Sequence, residues 1–214
     1  MDLGIVPTDV LVRELVGRSD LIRQDGLMDP DKWALRPAIG PVACVDAVAI
    51  RIERADDFGW RVVGGVIRRN TGRYAGKLAL IGGVVARYES IGDALTRHWH
   101  ADLGLDIELP LGWDHPVCMR QYAPQLDGRN RPDFCHDPGK HSYASTHIVT
   151  LSEDQVVDFR SKIGGQEAIG FEWYDAITCP PESEWGYDMR QTFLHVLERA
   201  QQARFAIQRY LAIH

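Results

Sequence analysis

The stretch Lys77-Leu-Ala-Leu-Ile-Gly-Gly83-Val-Val-Ala-Arg-Tyr-Glu89-Ser-Ile-Gly-Asp93-Ala-Leu-Thr-Arg97-His-Trp-His-Ala-Asp102-Leu-Gly104-Leu105 decides the architecture of this chain. Its first five residues read as a short strand that ends at Gly82-Gly83. Ser90-Ile-Gly-Asp93 has the form of a capping box, so a helix opens there, runs to about Leu103 and stops at Gly104. A helix sets residues three and four apart on one face, and carboxylates at that spacing can hold Mg2+ against a diphosphate. Here that face keeps Asp102, with His98 one turn before it. Trp99, beside Ile91 and Leu95, belongs to the apolar side, and Arg97 with Glu89 reads as an ion pair framing the turn.

Before this unit, Val42–Ile52 is a β-branched run for a strand buried on at least one face, and Trp60–Arg68 is a second strand completing an antiparallel hairpin. Asp46 stands in the middle of the first. An acid on a buried strand is uncommon without a partner, so it serves either a pocket or a neighbouring loop. Beyond the helix, strands are expected at Val117–Tyr122, His147–Leu151 and Phe171–Tyr174. A polar, Pro- and Gly-rich stretch from Ala123 to Ser142 has the length of a binding lid or a disordered loop, and carries His136 and His141. A long helix from Glu184 to about Ile213 places Met189, Phe193, Leu197, Ala200 and Ile207 on one side. Residues 8–23 read as an amphipathic helix, which divides the chain into an N-terminal helical extension, 1–40, and one domain, 41–214.

The 214 residues, 45% hydrophobic and 25% charged, suit one globular domain. The net charge of -6, with basic residues scattered among acids, argues against nucleic acid as partner. No apolar stretch has the length of a membrane span and the N-terminus lacks a signal-peptide layout, so the expected location is the cytoplasm. Cys44, Cys118, Cys135 and Cys179 lie far apart, without the paired spacing of a zinc site or the setting of a disulfide framework.

The segment from Gly83 to Leu105 resembles the Nudix box, G-x5-E-x7-R-E-U-x-E-E-x-G-U. Gly83, Glu89, Arg97, Asp102, Gly104 and Leu105 fall in register, whereas the first and second catalytic glutamates of the box are His98 and Ala101. Over about residues 40 to 195 the chain is most similar to the GDP-mannose mannosyl hydrolases of that superfamily, whose box also keeps only its last acid. The resemblance implies an α+β fold, a mixed sheet flanked by helices as an α/β/α sandwich with an added C-terminal helix. It implies Mg2+ as cofactor, held by Asp102, a carbonyl of Gly82 and, where the family has glutamine, Glu167. It places substrate-binding roles on Asp46, Arg69, Arg120 and His147, with Arg69 assisting the departing diphosphate.

The sequence departs from that family at Ala168, where the catalytic histidine stands, and at Val84 and Arg120, which replace an arginine and a histidine. Glu167, then His98, then His136 or His141 are the candidate bases; His98 is equally readable as a metal ligand or a structural histidine. The implied function is Mg2+-dependent hydrolysis of a nucleoside-diphosphate sugar or related diphosphate, by attack at the anomeric carbon. The alternatives are ordinary attack on phosphorus and a silent Nudix module that binds a nucleotide or protein. A homodimer is expected, from the resemblance and from the apolar stripe of the last helix.

Overall fold

The computed structural model describes residues 41–54, 59–109, 114–124, 135–151 and 168–213, with side chains of the last helix through residue 204. The expected helix at 8–23, Glu167 and the middle of the 123–142 segment lie outside the described residues. In chain order the strands are β1 (Val42–Arg54), β2 (Trp60–Arg69), β3 (Leu78–Ala79), β4 (Ile81–Val84), β5 (Cys118–Ala123), β6 (Cys135–His136), β7 (Ser142–Thr150) and β8 (Ala168–Tyr174). Two helices accompany them, α1 (Ile91–Leu103) and α2 (Met189–Ile213), the second preceded by a short 3-10 turn at Glu182–Glu184.

All eight strands join one mixed sheet in the order β3-β2-β1-β7-β5-β6, with β4 also on β1 and β8 on β2. The antiparallel β1–β2 hairpin forms as expected. The other edge of β1 pairs in parallel with β7 along its length, from Val42 with Ser142 to Ile50 with Thr150. β7 starts five residues earlier than its hydrophobic run suggests, because Ser142, Ser145 and Thr146 are buried polar residues held by the ladder. β8 likewise starts three residues before the aromatic run, at Ala168. The expected strand 77–81 divides into β3 and β4, and the helix expected from Glu184 begins only at Met189.

α1 follows its local signals. Ser90 Oγ accepts the backbone N–H of Asp93 at 3.1 Å, and Gly104, at φ +66°, closes the helix with its N–H on His100 O. Ala94, Leu95, Trp99 and Leu103 pack on Val45, Ala47 and Ala49, the α1 side of β1. Full burial of Trp99 makes its truncation to alanine worth about 3–5 kcal/mol. α2 covers the opposite face, where Phe193, Val196 and Leu197 bury against Val48, Val62 and Val66. The described part of the C-terminal stripe is therefore satisfied by its own sheet. The sheet held between α1 and α2 is the α/β/α sandwich.

Candidate functional site

Strand alternation separates the expected site residues into two groups. On β1, Cys44, Asp46 and Val48 share the α2 side, and the ladder sets Asp46 beside Thr146, which pairs with Cys118. The next row is Cys44, Ala144 and Arg120, and the third is Ser142, Tyr122 and Cys135. Asp46 and Arg120 thus occupy one sheet face, two strands apart. His147, in register with Ala47, belongs to the other face, where it is 1% exposed and its Nε2 lies 3.0 Å from Ser145 Oγ. Asp102 is buried on the sheet side of α1 and so also lies on the His147 side.

The Gly82-Gly83 turn at the β4 edge links the two sides. Asp46 pairs with Gly82, and a Cβ on Gly82 would stand 2.8 Å from Asp46 Oδ1 and 2.1 Å from Val45 O. A Cβ on Gly83 would meet the imidazole of His98 at 2.6 Å. Only glycine allows both approaches. His98 Nε2 lies 3.1 Å from Val84 O; a carbonyl only accepts, so this nitrogen carries the proton in the contact. Arg97 donates to the same carbonyl at 2.9 Å and grips Glu89 with two bonds, at 2.6 and 2.8 Å. Glu89 also accepts Ala86 N, and the Arg97 bond holds its carboxyl below the usual range. His100 instead reaches Asp106 on the exposed side.

The polar sheet face is electrostatically unusual. Burial pushes the Asp46 carboxyl up to about 6, opposed by the positive charge of Lys140. Lys140 Nζ lies 3.1 Å from Cys44 Sγ, and burial raises the Cys44 thiol. Arg120 Nε, Thr146 Oγ1 and Tyr122 Oη are buried on this face without a close direct hydrogen bond, Thr146 and Arg120 lying near the Cys118 thiol and Tyr122 near Thr192. Buried polar groups ordinarily find partners, so these weakly satisfied groups suit completion by a ligand or water. Arg69 ends β2 at a register shift between Arg68 and Arg69, and its guanidinium lies 5.6 Å from the ring centroid of Tyr187, which packs near Tyr122 and Cys44. His136 donates its backbone N–H to Asp188, and His141 Nε2 lies 2.6 Å from the Gln121 amide nitrogen.

Lys140, Tyr122, Thr146 and Tyr187 were not among the expected site residues. Tyr122 was read only as the end of a strand, and strand register and chain crossings bring the four toward Asp46 and Arg69. All four cysteines are free thiols. Among the described residues no three His, Cys, Asp or Glu side chains converge on a common point. Glu89 is bound by Arg97 and Asp93 lies at the exposed Ser90 cap, so the turn and helix offer a cation Asp102 and backbone carbonyls. That oxygen set suits Mg2+, which accepts one or two carboxylates and completes its shell with water and phosphate, and does not suit Zn2+. No described helix is long and apolar enough to cross a membrane.

No family model matches the sequence, and no curated protein is significantly similar to it. Solved structures do match. A protein from Jonesia denitrificans, described as a possible asymmetric diadenosine tetraphosphate hydrolase, superposes with a TM-score of 0.58 at 23% identity, over 76% of this chain and 96% of its own. A MutT/Nudix family protein from Listeria innocua gives 0.52 at 16% identity, over 78% and 99%. One from Enterococcus faecalis gives 0.51 at 18%, over 76% and 63%. With the mixed sheet and its two flanking helices, these likenesses establish that the chain has the Nudix fold.

Proposed function

We propose that this protein is a Nudix-type diphosphate hydrolase, Mg2+-dependent, whose substrate is a nucleoside-diphosphate sugar or a related diphosphate. The observation that carries the reading is the cluster of polar residues on one sheet face beside the Gly82-Gly83 turn. Asp46, Arg120, Thr146 and Tyr122 share that face, Lys140 reaches Cys44 on it, and Arg69 lies by Tyr187, which packs near Tyr122 and Cys44. Arg69 and Lys140 neutralise the diphosphate, while Asp46 and the hydroxyls of Thr146 and Tyr122 accept from and donate to the uncharged part of the substrate. Asp102, the Gly82 carbonyl and Glu167 would hold Mg2+, which when bound supplies further charge for the leaving diphosphate. His98, with its Nε2 proton engaged by Val84 O, presents Nδ1 as the basic nitrogen when neutral, and stands second to Glu167 as the group that takes the proton from water.

The single carboxylate on the α1 face favours cleavage at carbon, because activation of water against phosphorus draws on several metals. A screen of nucleotide sugars with and without Mg2+, run in heavy-oxygen water, tests this. Label in the anomeric hydroxyl of the released sugar is expected. Label in phosphate would assign ordinary Nudix chemistry at phosphorus. The replacement of two box glutamates by His98 and Ala101 gives a second reading, a Nudix module that binds a diphosphate without cleaving it. Binding without turnover of any diphosphate would select that one. The protein is further proposed to be cytoplasmic and to act as a homodimer without nucleic acid.

A further inference from the structure

A ladder end and a backbone distortion meet at one side-chain contact. The β2–β8 register shifts between Arg68 and Arg69, with Ile169 of β8 as the extra residue, and Arg69 is the last residue of β2. Arg68 keeps the direction of the strand and pairs with Glu172 at 2.6 Å. The Arg69 guanidinium instead lies 5.6 Å from the centroid of the Tyr187 ring. Tyr187 and Asp188, consecutive and neither of them glycine, have φ of +58° and +53°. Left-handed backbone disfavours bulky residues, and two in succession persist only when the surroundings over-determine them.

The surroundings do so. Gly186 donates its N–H to Leu78 O at 2.9 Å, Met189 donates to Gly186 O at 3.1 Å, and Asp188 accepts the N–H of His136 at 2.8 Å. Tyr187 packs edge-on to Tyr74 with centroids 4.4 Å apart, and Gly186 lies so close to Tyr74 that a Cβ there would touch it at 3.0 Å. The β2–β3 turn, the return strand β6 and the start of α2 thus clamp one phenol ring beside one guanidinium.

We infer that Tyr187 is a positioning residue for Arg69: its ring, held by the left-handed turn at the start of α2, orients the guanidinium for the phosphate groups of a nucleoside diphosphate. This rests on the reading of the site as a diphosphate site. An aromatic ring attracts a nearby guanidinium and so restricts where it sits, and a guanidinium held in place recognises phosphate oxygens through paired N–H donors. The ring is needed and its hydroxyl is not. Glycine at 187 relieves the backbone but removes the ring.

The test measures binding of GDP, ADP, UDP and CDP, each with Mg2+, by calorimetry, with melting temperature recorded for every variant. Arg69→Ala, Tyr187→Ala, Tyr187→Gly, Tyr187→Phe and the double variant Arg69→Ala/Tyr187→Ala are compared on the diphosphate bound most tightly. Tyr187→Ala and Tyr187→Gly should each weaken binding about tenfold, Tyr187→Gly melting no lower than Tyr187→Ala, and Tyr187→Phe should restore wild-type affinity. In the Arg69→Ala background Tyr187→Ala should cause no further loss, as expected of residues acting through one contact. Losses that multiply in the double variant, or full affinity in Tyr187→Gly, would overturn the inference while leaving the diphosphate reading standing. If Arg69→Ala binds as wild type, or no diphosphate binds wild type, the diphosphate reading fails and the inference with it.

Discussion

The carboxylate of Asp46 lies against the α-carbon of Gly82, with Oδ1 2.8 Å from where a Cβ would stand. A buried acid on one strand and the turn that opens the α1 unit are thereby one packed contact. Gly82→Ala would also force the new methyl to 2.1 Å from Val45 O at a φ of +155°. It should cost more than about 3 kcal/mol, as overpacking against rigid backbone does. Urea unfolding measures this, and a loss below about 1 kcal/mol, the size of a surface change, would show that β1 and β4 can part.

Asp46 should trade stability for function. Its folded value of about 6 stands above the ordinary 3.8, so below the ordinary value the residue is protonated in both states and costs nothing. As pH rises from there through 6 the folded state loses stability relative to the unfolded, by a total of about 3 kcal/mol for a shift of roughly two units. Asp46→Asn, unfolded with a chelator present, should be the more stable protein at about pH 7.5, and the gain should vanish below about pH 4. The same variant should lose diphosphate turnover. An Asp46→Asn protein less stable than wild type at neutral pH would contradict the burial argument.

Glu89 has the opposite sign. Its carboxyl is held down by the Arg97 bond, so its contribution is present above the unfolded value near 4.5 and is lost as pH falls through the folded value. Glu89→Gln should cost about 1–2 kcal/mol at pH 7 through loss of a charge-assisted pair. In strong acid the wild type and the variant should converge. Parallel stability curves across that range would place the ion pair outside the folding balance.

Asp102→Asn removes the one box carboxylate of the α1 face with little change in volume. Mg2+-stimulated turnover should fall by at least about a hundredfold with the melting temperature within a few degrees of wild type. Wild-type Mg2+ dependence in this variant would move the metal elsewhere. His98→Ala at saturating Mg2+ then separates a proton-transfer role, seen as a lost acidic limb of the pH profile, from a purely structural contact with Val84 O.

Light scattering across micromolar concentrations addresses the oligomeric state. The expected mass is that of a dimer. Phe193 and Leu197, which gave part of the reason to expect one, are buried in their own domain, so the contact surface would have to come from elsewhere on the molecule.

Local chemistry was sufficient for the elements that need no distant partner. Ser90, Gly104 and the Glu89–Arg97 spacing specify α1 and its frame, because caps and turn bonds form among residues a few positions apart. Runs of β-branched and apolar residues likewise marked β1, β2 and β5, and helical spacing marked the buried side of Trp99. Periodicity, however, tells which residues share a face and not which strand lies alongside. The parallel β1–β7 ladder that puts Thr146 beside Asp46, and His147 on the opposite side from it, is a pairing between segments a hundred residues apart. The same holds for Lys140 against Cys44 and for Tyr187 against Arg69. These contacts depend on register and chain crossing, whose energies are settled by the packing of the whole sheet between α1 and α2, and no short stretch of residues encodes them.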